Sequence, residues 1–301
     1  MSARGIEAVL THLAKLPPAE SLSFTELRDQ YDRAERVFPM PAGVVVEMAT
    51  APLVRAEWLR PPEARRDVVV LYLHGGGYAI GSPRSHRHLA AAIAAAARVT
   101  GLLLDYRRAP ESPFPAAVDD AVAAYRWLLG RGISPEHIVI AGDSAGGGLT
   151  VATLLALRDA GVTLPAGGVC ISPWTDLTRT AESYVTNLGD PIVKPALLVE
   201  MASAYLGGTK ASSPLASPLH ADLGGLPPLL IQVGSGELLL DDAKGLATRA
   251  REAGVDATLE VWEDMVHVWH WFLPMLDEAQ AAVDRIGEFI RERIEPGESQ
   301  S

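Results

Sequence analysis

The hydrophobic pattern alternates between two periods along most of this chain. DVVVLYLH, residues 67–74, is an unbroken apolar run of strand length, the form taken by a strand buried on both faces. RHLAAAIAAAA reads as a helix, VTGLLLDY as a strand, PAAVDDAVAAYRWLLGRG as a helix and HIVIAG as a strand. AGGGLTVATLLALRDAG (helix) and GGVCIS (strand) follow. After a gap the order resumes with PPLLIQVG, DAKGLATRAREAG, ATLEVW and MLDEAQAAVDRIGEFIRERI. Ahead of this series GVVVEMAT and LVRAEWLR read as two more strands, and the first forty residues as helical. In SFTELRDQYDRAERVF, Ser23 and Glu26 stand at capping-box spacing.

Repeated strand–helix alternation predicts an α/β fold with a mostly parallel central sheet flanked by helices on both faces. Residues 176–212 break the rhythm as an insertion does. Together with residues 1–40 they would form a small helical cap over the carboxyl ends of the strands, where such sheets bind ligands. The expected organisation is 1–40 as one part of the cap, 41–175 as the first part of the core, 176–212 as the cap insertion, 213–295 as the rest of the core and 296–301 as a flexible tail.

Composition narrows the reading. The 301 residues fit one open α/β domain, and 48% hydrophobic with 21% charged residues is a globular balance. The net charge of −11 comes without any Lys/Arg cluster, which argues against nucleic acid as a partner. No apolar run approaches the ~18–20 residues of a membrane span, so stable membrane insertion is not expected. The N-terminus lacks the apolar stretch of a signal peptide, and a soluble cytoplasmic protein is the expectation. The single cysteine, Cys170, permits no intrachain disulfide, and its setting in GGVCIS predicts a buried strand position.

Candidate chemistry starts at IAGDSAGGG. Ser144 follows a strand, precedes a helix and is flanked by Gly142 and Gly146. A serine on such a turn is held strained with its hydroxyl exposed, and side chains two positions away on either side would clash. The helix start behind it favours developing negative charge. A second glycine run, His74-Gly75-Gly76-Gly77, directly follows the strand at 68–73. Acyl transfer through a serine creates an oxyanion that needs N–H donors at about 2.7–3.1 Å, and bare backbone can approach that closely. The expected donors are the N–H groups of Gly76, Gly77 and Ala145. A phosphate cradle would need a lysine and a serine or threonine that this loop lacks.

HGGG, GDSAGG, YRRAPESPFPAAVDD and SPLASPL together resemble the hormone-sensitive-lipase-like esterases (bacterial family IV) of the α/β-hydrolase superfamily, over about residues 40–293. The resemblance implies an α/β-hydrolase fold, HGGG as oxyanion hole, GDSAGG as nucleophile motif, and a cap over an acyl pocket. It also implies short- to medium-chain acyl esters as substrates and a homodimer as one possible assembly. Asp143 would order the nucleophile loop, His74 would make an orienting hydrogen bond, and Tyr106, Arg107 and Glu111 would fix the loop before the next helix. Tyr184 and Tyr205, in the insertion, would set the pocket length.

A serine hydroxyl needs a base, and the base needs a carboxylate to orient it, in the chain order Ser, acid, His for this fold. Of the eight histidines, only His267 and His270 follow the last strand. His267 matches the family's position, with Trp269 two residues on; His270 would point elsewhere. His86 and His88 read as a solvated helix start, and His137 as a surface residue. The acid should lie in GSGELLLDDAKG, where Glu237, Asp241 and Asp242 compete. The family motif usually carries Asp at the position of Glu237. Glu237 is favoured, with Asp241 the alternative that could instead cap the next helix and Asp242 suited to its first turn. The expected protein is a serine carboxylic ester hydrolase acting on small-molecule esters, with no metal or organic cofactor. An amidase, deacetylase or lactonase on the same scaffold is the nearest alternative, and a non-catalytic ligand receptor a remote one.

Overall fold

A computed structural model describes residues 3–49 and 55–295. The tail expected at 296–301 lies outside the described residues. Strands β1 (Val45–Ala49), β2 (Arg55–Arg60), β3 (Arg65–Leu73), β4 (Val99–Asp105), β5 (Ile138–Asp143), β6 (Gly167–Ile171), β7 (Leu229–Gly234) and β8 (Ala257–Trp262) form one sheet. Its order is β1-β2-β4-β3-β5-β6-β7-β8, with β2 antiparallel to both neighbours and every other pairing from β4 to β8 parallel. This is the α/β-hydrolase architecture, and the parallel part matches the strand–helix alternation of the sequence.

The period of two decides which core each strand residue enters. Val68, Val70 and Tyr72 of β3 pack with α4 (Pro83–Ala97) and α10 (Asp277–Ile294) on one face. Val69, Leu71 and Leu73 pack on the other face with α5 (Ala116–Gly130), α6 (Ala145–Asp159) and α9 (Leu240–Glu252). Burial on both faces explains why β3 reads as a continuous apolar run. Cys170 is buried in β6, and burial pushes its thiol up to about 12.

The N-terminal region expected to be helical forms three helices. Helix α1 (Ala3–Leu13) is followed by α2 (Phe24–Asp32) and α3 (Ala34–Val37), which meet at Arg33. The capping box at the start of α2 is formed: Glu26 N–H donates to Ser23 Oγ, and Ser23 N–H donates to the Glu26 carboxylate. Arg28 on α2 donates to the Ala79 and Ala109 carbonyls and pairs with both oxygens of Glu111. This clamp ties the N-terminal helices to the loops after β3 and β4. The 176–212 segment carries α7 (Ser183–Thr186) and α8 (Pro195–Leu206), the latter opened by a proline at its first turn and closed by left-handed Gly207. Among the described residues no helix is long and apolar enough to cross a membrane.

Candidate active site

Residues at the carboxyl ends of β3, β5 and β8 line one cavity of about 420 Å³. Ser144 sits between the end of β5 and the start of α6, with φ +53° and ψ −120°. That backbone is unfavourable for a side-chain-bearing residue and is held from both sides. Ser144 N–H donates to the Ile171 carbonyl at 2.8 Å, and its own carbonyl accepts from Trp174 N–H at 2.9 Å. The turn also needs its glycines. A Cβ on Gly142 would lie 2.6 Å from the Leu73 carbonyl oxygen, and one on Gly146 would collide with the same oxygen. Both glycines therefore let the β5–α6 turn press against the end of β3.

That contact brings the two glycine motifs together. Gly76 and Gly77 take φ +112° and +57° and line the cavity beside Ser144. Ala145, fully buried, begins α6. Asp143 joins the two loops: its Oδ1 accepts from Gly75 N–H at 3.0 Å and from the Tyr72 hydroxyl at 2.8 Å. His74 points its Nδ1 at the Gly75 carbonyl, 2.8 Å away, and stacks on Tyr106, whose hydroxyl donates to the His74 carbonyl. Burial drives the His74 pKa down to about 3, so this imidazole is neutral.

His267 lies on the loop after β8, in the wall of the same cavity as Ser144. Its Nδ1 is 2.8 Å from Glu237 Oε2. The other carboxylate oxygen accepts from Gly234 N–H at 2.6 Å and from the Ser172 hydroxyl at 2.7 Å. Glu237 is fully buried, yet both of its oxygens are engaged. Burial opposes a charge on His267, but the hydrogen bond to Glu237 and its negative charge outweigh it, and the imidazole pKa stands above its usual value.

Asp241 and Asp242 are placed differently. Asp241 accepts from Ser183 N–H at 2.8 Å, anchoring the start of α7. Asp242 accepts from the N–H groups of Thr175 and Asp176 and from the Tyr184 hydroxyl. Neither carboxylate is paired with a histidine. His270 is buried on the Gln232 side chain, at 2.7 Å.

Several residues depart from the sequence reading. His86 and His88 are buried, because α4 turns its first face inward: His86 Nε2 is 3.3 Å from Asp143, and His88 Nε2 meets the Trp271 carbonyl. Tyr184 and Tyr205 are absent from the cavity wall. Tyr184 turns to Asp242, and Tyr205 stacks on Tyr78 with ring centroids 3.7 Å apart. The apolar wall is built instead from Tyr31 and Phe38 at the N-terminus, Leu198 and Met201 of α8, and Trp271. Arg107 pairs with Asp120 at the start of α5. Ser172 and Asp190 were not foreseen. Ser172 bridges Glu237 and Val268 N–H, and Asp190 accepts from Leu238 N–H while receiving Ile192 and Val193 N–H on its other oxygen. The signal for Ser172 was its place directly after β6, at the same end of the sheet as every other site residue.

Residues 70–271 match the family model described as alpha/beta hydrolase fold. An acetyl-hydrolase of Streptomyces hygroscopicus is 54% identical over 269 residues, 88% of this chain and 88% of its own. An esterase of Acinetobacter venetianus is 34% identical over 285 residues, 94% of each chain. The crystal structure of an esterase from the bacterial hormone-sensitive lipase family superposes with a TM-score of 0.94 at 51% identity, covering 98% of this chain and 99% of that one. With the nucleophile-type turn, the glycine loop and this sheet order in one molecule, the chain belongs to the α/β-hydrolase family, among the esterases of the hormone-sensitive-lipase type.

Proposed function

We propose that this carboxylesterase cleaves short- to medium-chain acyl esters through an acyl-enzyme on Ser144. The observation that carries the reading is the His267–Glu237 pair, 2.8 Å apart, opening into the cavity that Ser144, Gly76 and Gly77 also line. With Nδ1–H held by Glu237, Nε2 of His267 is the nitrogen left to accept a proton. The Ser144 oxygen attacks the ester carbonyl as His267 takes its hydrogen. The N–H groups of Gly76, Gly77 and Ala145 stabilise the oxyanion. Collapse expels the alcohol, which receives the proton from His267. Water then repeats the sequence on the acyl-enzyme, releasing the carboxylic acid and restoring Ser144. Glu237 keeps its hydrogen bond to Nδ1 and stabilises the imidazolium at each stage.

The acyl group occupies the apolar wall formed by the N-terminal helices and α8, which together act as the cap. A cavity of about 420 Å³ fits a small ligand. The relative named acetyl-hydrolase supports the short end of the range. Ser144→Ala should lower kcat by about 10³–10⁶ with the circular dichroism spectrum unchanged. A series of p-nitrophenyl esters of graded acyl length should show kcat/KM peaking at short to medium chains, and each ester should outpace its matching anilide. Near-normal turnover by Ser144→Ala overturns the mechanism. Faster anilide cleavage assigns the protein to the amidases.

A further inference from the structure

Asp143 is a buried carboxylate that the acyl-transfer steps do not use, yet it precedes the nucleophile directly. Its Oδ1 carries Gly75 N–H and the Tyr72 hydroxyl. Its Oδ2 faces His86 Nε2 at 3.3 Å, and both side chains are about 3% exposed. His86 also reaches the cavity wall beside Ser144 and His267. Its other nitrogen, Nδ1, is 2.7 Å from Ser85 Oγ. A proton on Nε2 points toward Asp143; the Ser85 hydroxyl, whose single hydrogen also has the Ser82 carbonyl within reach at 2.9 Å, then turns it to Nδ1.

The connection continues outward. Ser85 Oγ accepts from Ser82 N–H, and the Ser82 hydroxyl donates to Asp32 at the end of α2. Arg84 pairs with Asp32 and Glu35, so the same stretch of α4 is gripped by the N-terminal helices. The Trp271 indole N–H donates to the Ser85 carbonyl, and its ring lies over His86 at 5.8 Å between centroids. A continuous polar path therefore runs from the cap helix α2 to the residue before the nucleophile, and its inner end, Ser85, His86 and Asp143, is buried. Such a path is favourable only if every member is satisfied, and it then fixes geometry.

We propose that His86 is a positioning residue which, through Asp143, holds the glycine loop and the nucleophile turn in register and links that register to helix α2. Asp143 joins the loop bearing Gly76 and Gly77 to the turn bearing Ser144 and Ala145. His86 restrains the free side of that carboxylate. Without it, Oδ2 loses its facing donor, and the carboxylate can rotate away from Gly75 N–H. The oxyanion donors then lose their mutual spacing while the acyl wall is left in place. The effect belongs to kcat, since the donors matter most when the carbonyl oxygen becomes negative. The proposal rests on the serine mechanism above, and Ser144→Ala, measured alongside, separates the failure of one from the failure of the other.

The test compares His86→Phe, which fills the space without a donor, with His86→Gln, whose amide nitrogen can reach Asp143. Steady-state kinetics on a p-nitrophenyl ester and the rate of fluorophosphonate labelling are measured for both. His86→Phe should lower kcat about 10- to 100-fold at a KM within about threefold, part of the ~10²–10³ lost with an oxyanion donor itself. Labelling should slow in parallel, and His86→Gln should recover most of both. If His86→Phe does not fold, Ser85→Ala decides: it frees His86 Nδ1 and should lower kcat several-fold at constant KM. Wild-type kcat in His86→Phe, a loss confined to KM, no recovery in His86→Gln, or an unchanged kcat in Ser85→Ala would each overturn the proposal. Any of these results beside an inactive Ser144→Ala leaves the serine mechanism standing.

Discussion

Glu237→Gln replaces one oxygen by an NH₂ group and leaves the volume unchanged, so its effect can be worked from the hydrogen bonds alone. Glu237 Oε1 receives two donors, Gly234 N–H at 2.6 Å and the Ser172 hydroxyl at 2.7 Å. An amide nitrogen placed there would face the Gly234 N–H in a site with no exposure, and a buried unpaired donor costs about 1–3 kcal/mol. The amide oxygen therefore keeps that position, and the NH₂ falls where Oε2 stood, 2.8 Å from His267 Nδ1. His267 must then accept at Nδ1 and carry its proton on Nε2, the tautomer that cannot deprotonate Ser144. Inverting a triad histidine in this way costs about 10⁴ in kcat, and the option of rotating the amide at its 1–3 kcal/mol penalty softens the expected loss to about 10³–10⁴. The pH profile supplies an independent sign. His267 must be neutral to act as base, and Glu237 raises its pKa against burial. Removing the charge leaves burial opposed only by the lesser pull of Asp190 and Asp143, so the acid limb of kcat/KM should move to lower pH in whatever activity remains. Stopped-flow or steady-state ester hydrolysis from pH 5 to 9 measures both. Asp241→Ala, which loses only the anchor to Ser183 N–H, is the control and should stay within about tenfold of the parent, as a substitution outside the reacting set does. Turnover of Glu237→Gln within tenfold of the parent, or a larger loss in Asp241→Ala, would refute the assignment of the acid.

Two further outcomes follow from the packing. Burial raises the Asp242 pKa to about 7 despite two backbone donors and the Tyr184 hydroxyl. The folded protein then holds a proton that the unfolded chain releases near pH 4, so this group's contribution falls as pH rises from about 4 to 7. Asp242→Asn should flatten the decline of Tm across that window in thermal scans; an unchanged slope would show that Asp242 is ionised in the fold. Met201 lines the acyl wall and lies against Gly77. Met201→Ala should move the peak of the ester series to longer acyl chains, and a preference unchanged in position would place the acyl group elsewhere.

Legibility from sequence tracked how local each signal was. The β3 run, the capping box at Ser23 and the two glycine motifs are carried by adjacent residues whose conformations follow from sterics, and the sheet came from their alternation. The pairing of Glu237 with His267 followed from chain order and position after a strand, though Asp241 and Asp242 stood within five residues of Glu237 with the same charge. What separates the three is which backbone N–H groups they meet, and those donors come from Ser183, Thr175 and Gly234, distant in the chain or hidden in a turn. His86 on α4 is not legible as a buried residue because its partner, Asp143, comes from the end of β5, far along the chain. The composition of SHRHLA says nothing about which face of the helix turns inward. The aromatic residues of the insertion were assigned to the pocket by position, but Tyr205 found a better partner in the face of Tyr78, and apolar side chains of α8 took the wall.

The residues that would carry the reaction follow the ends of β3, β5, β7 and β8, whereas most of the proposed acyl wall is drawn from the N-terminal helices and α8, with Trp271 the exception. On the proposed mechanism, substrate preference and bond-breaking would be written largely in separate passages of the gene. A lineage could exchange one set of esters for another by rewriting the first forty residues and helix α8, while the parts that handle the proton stay as they are.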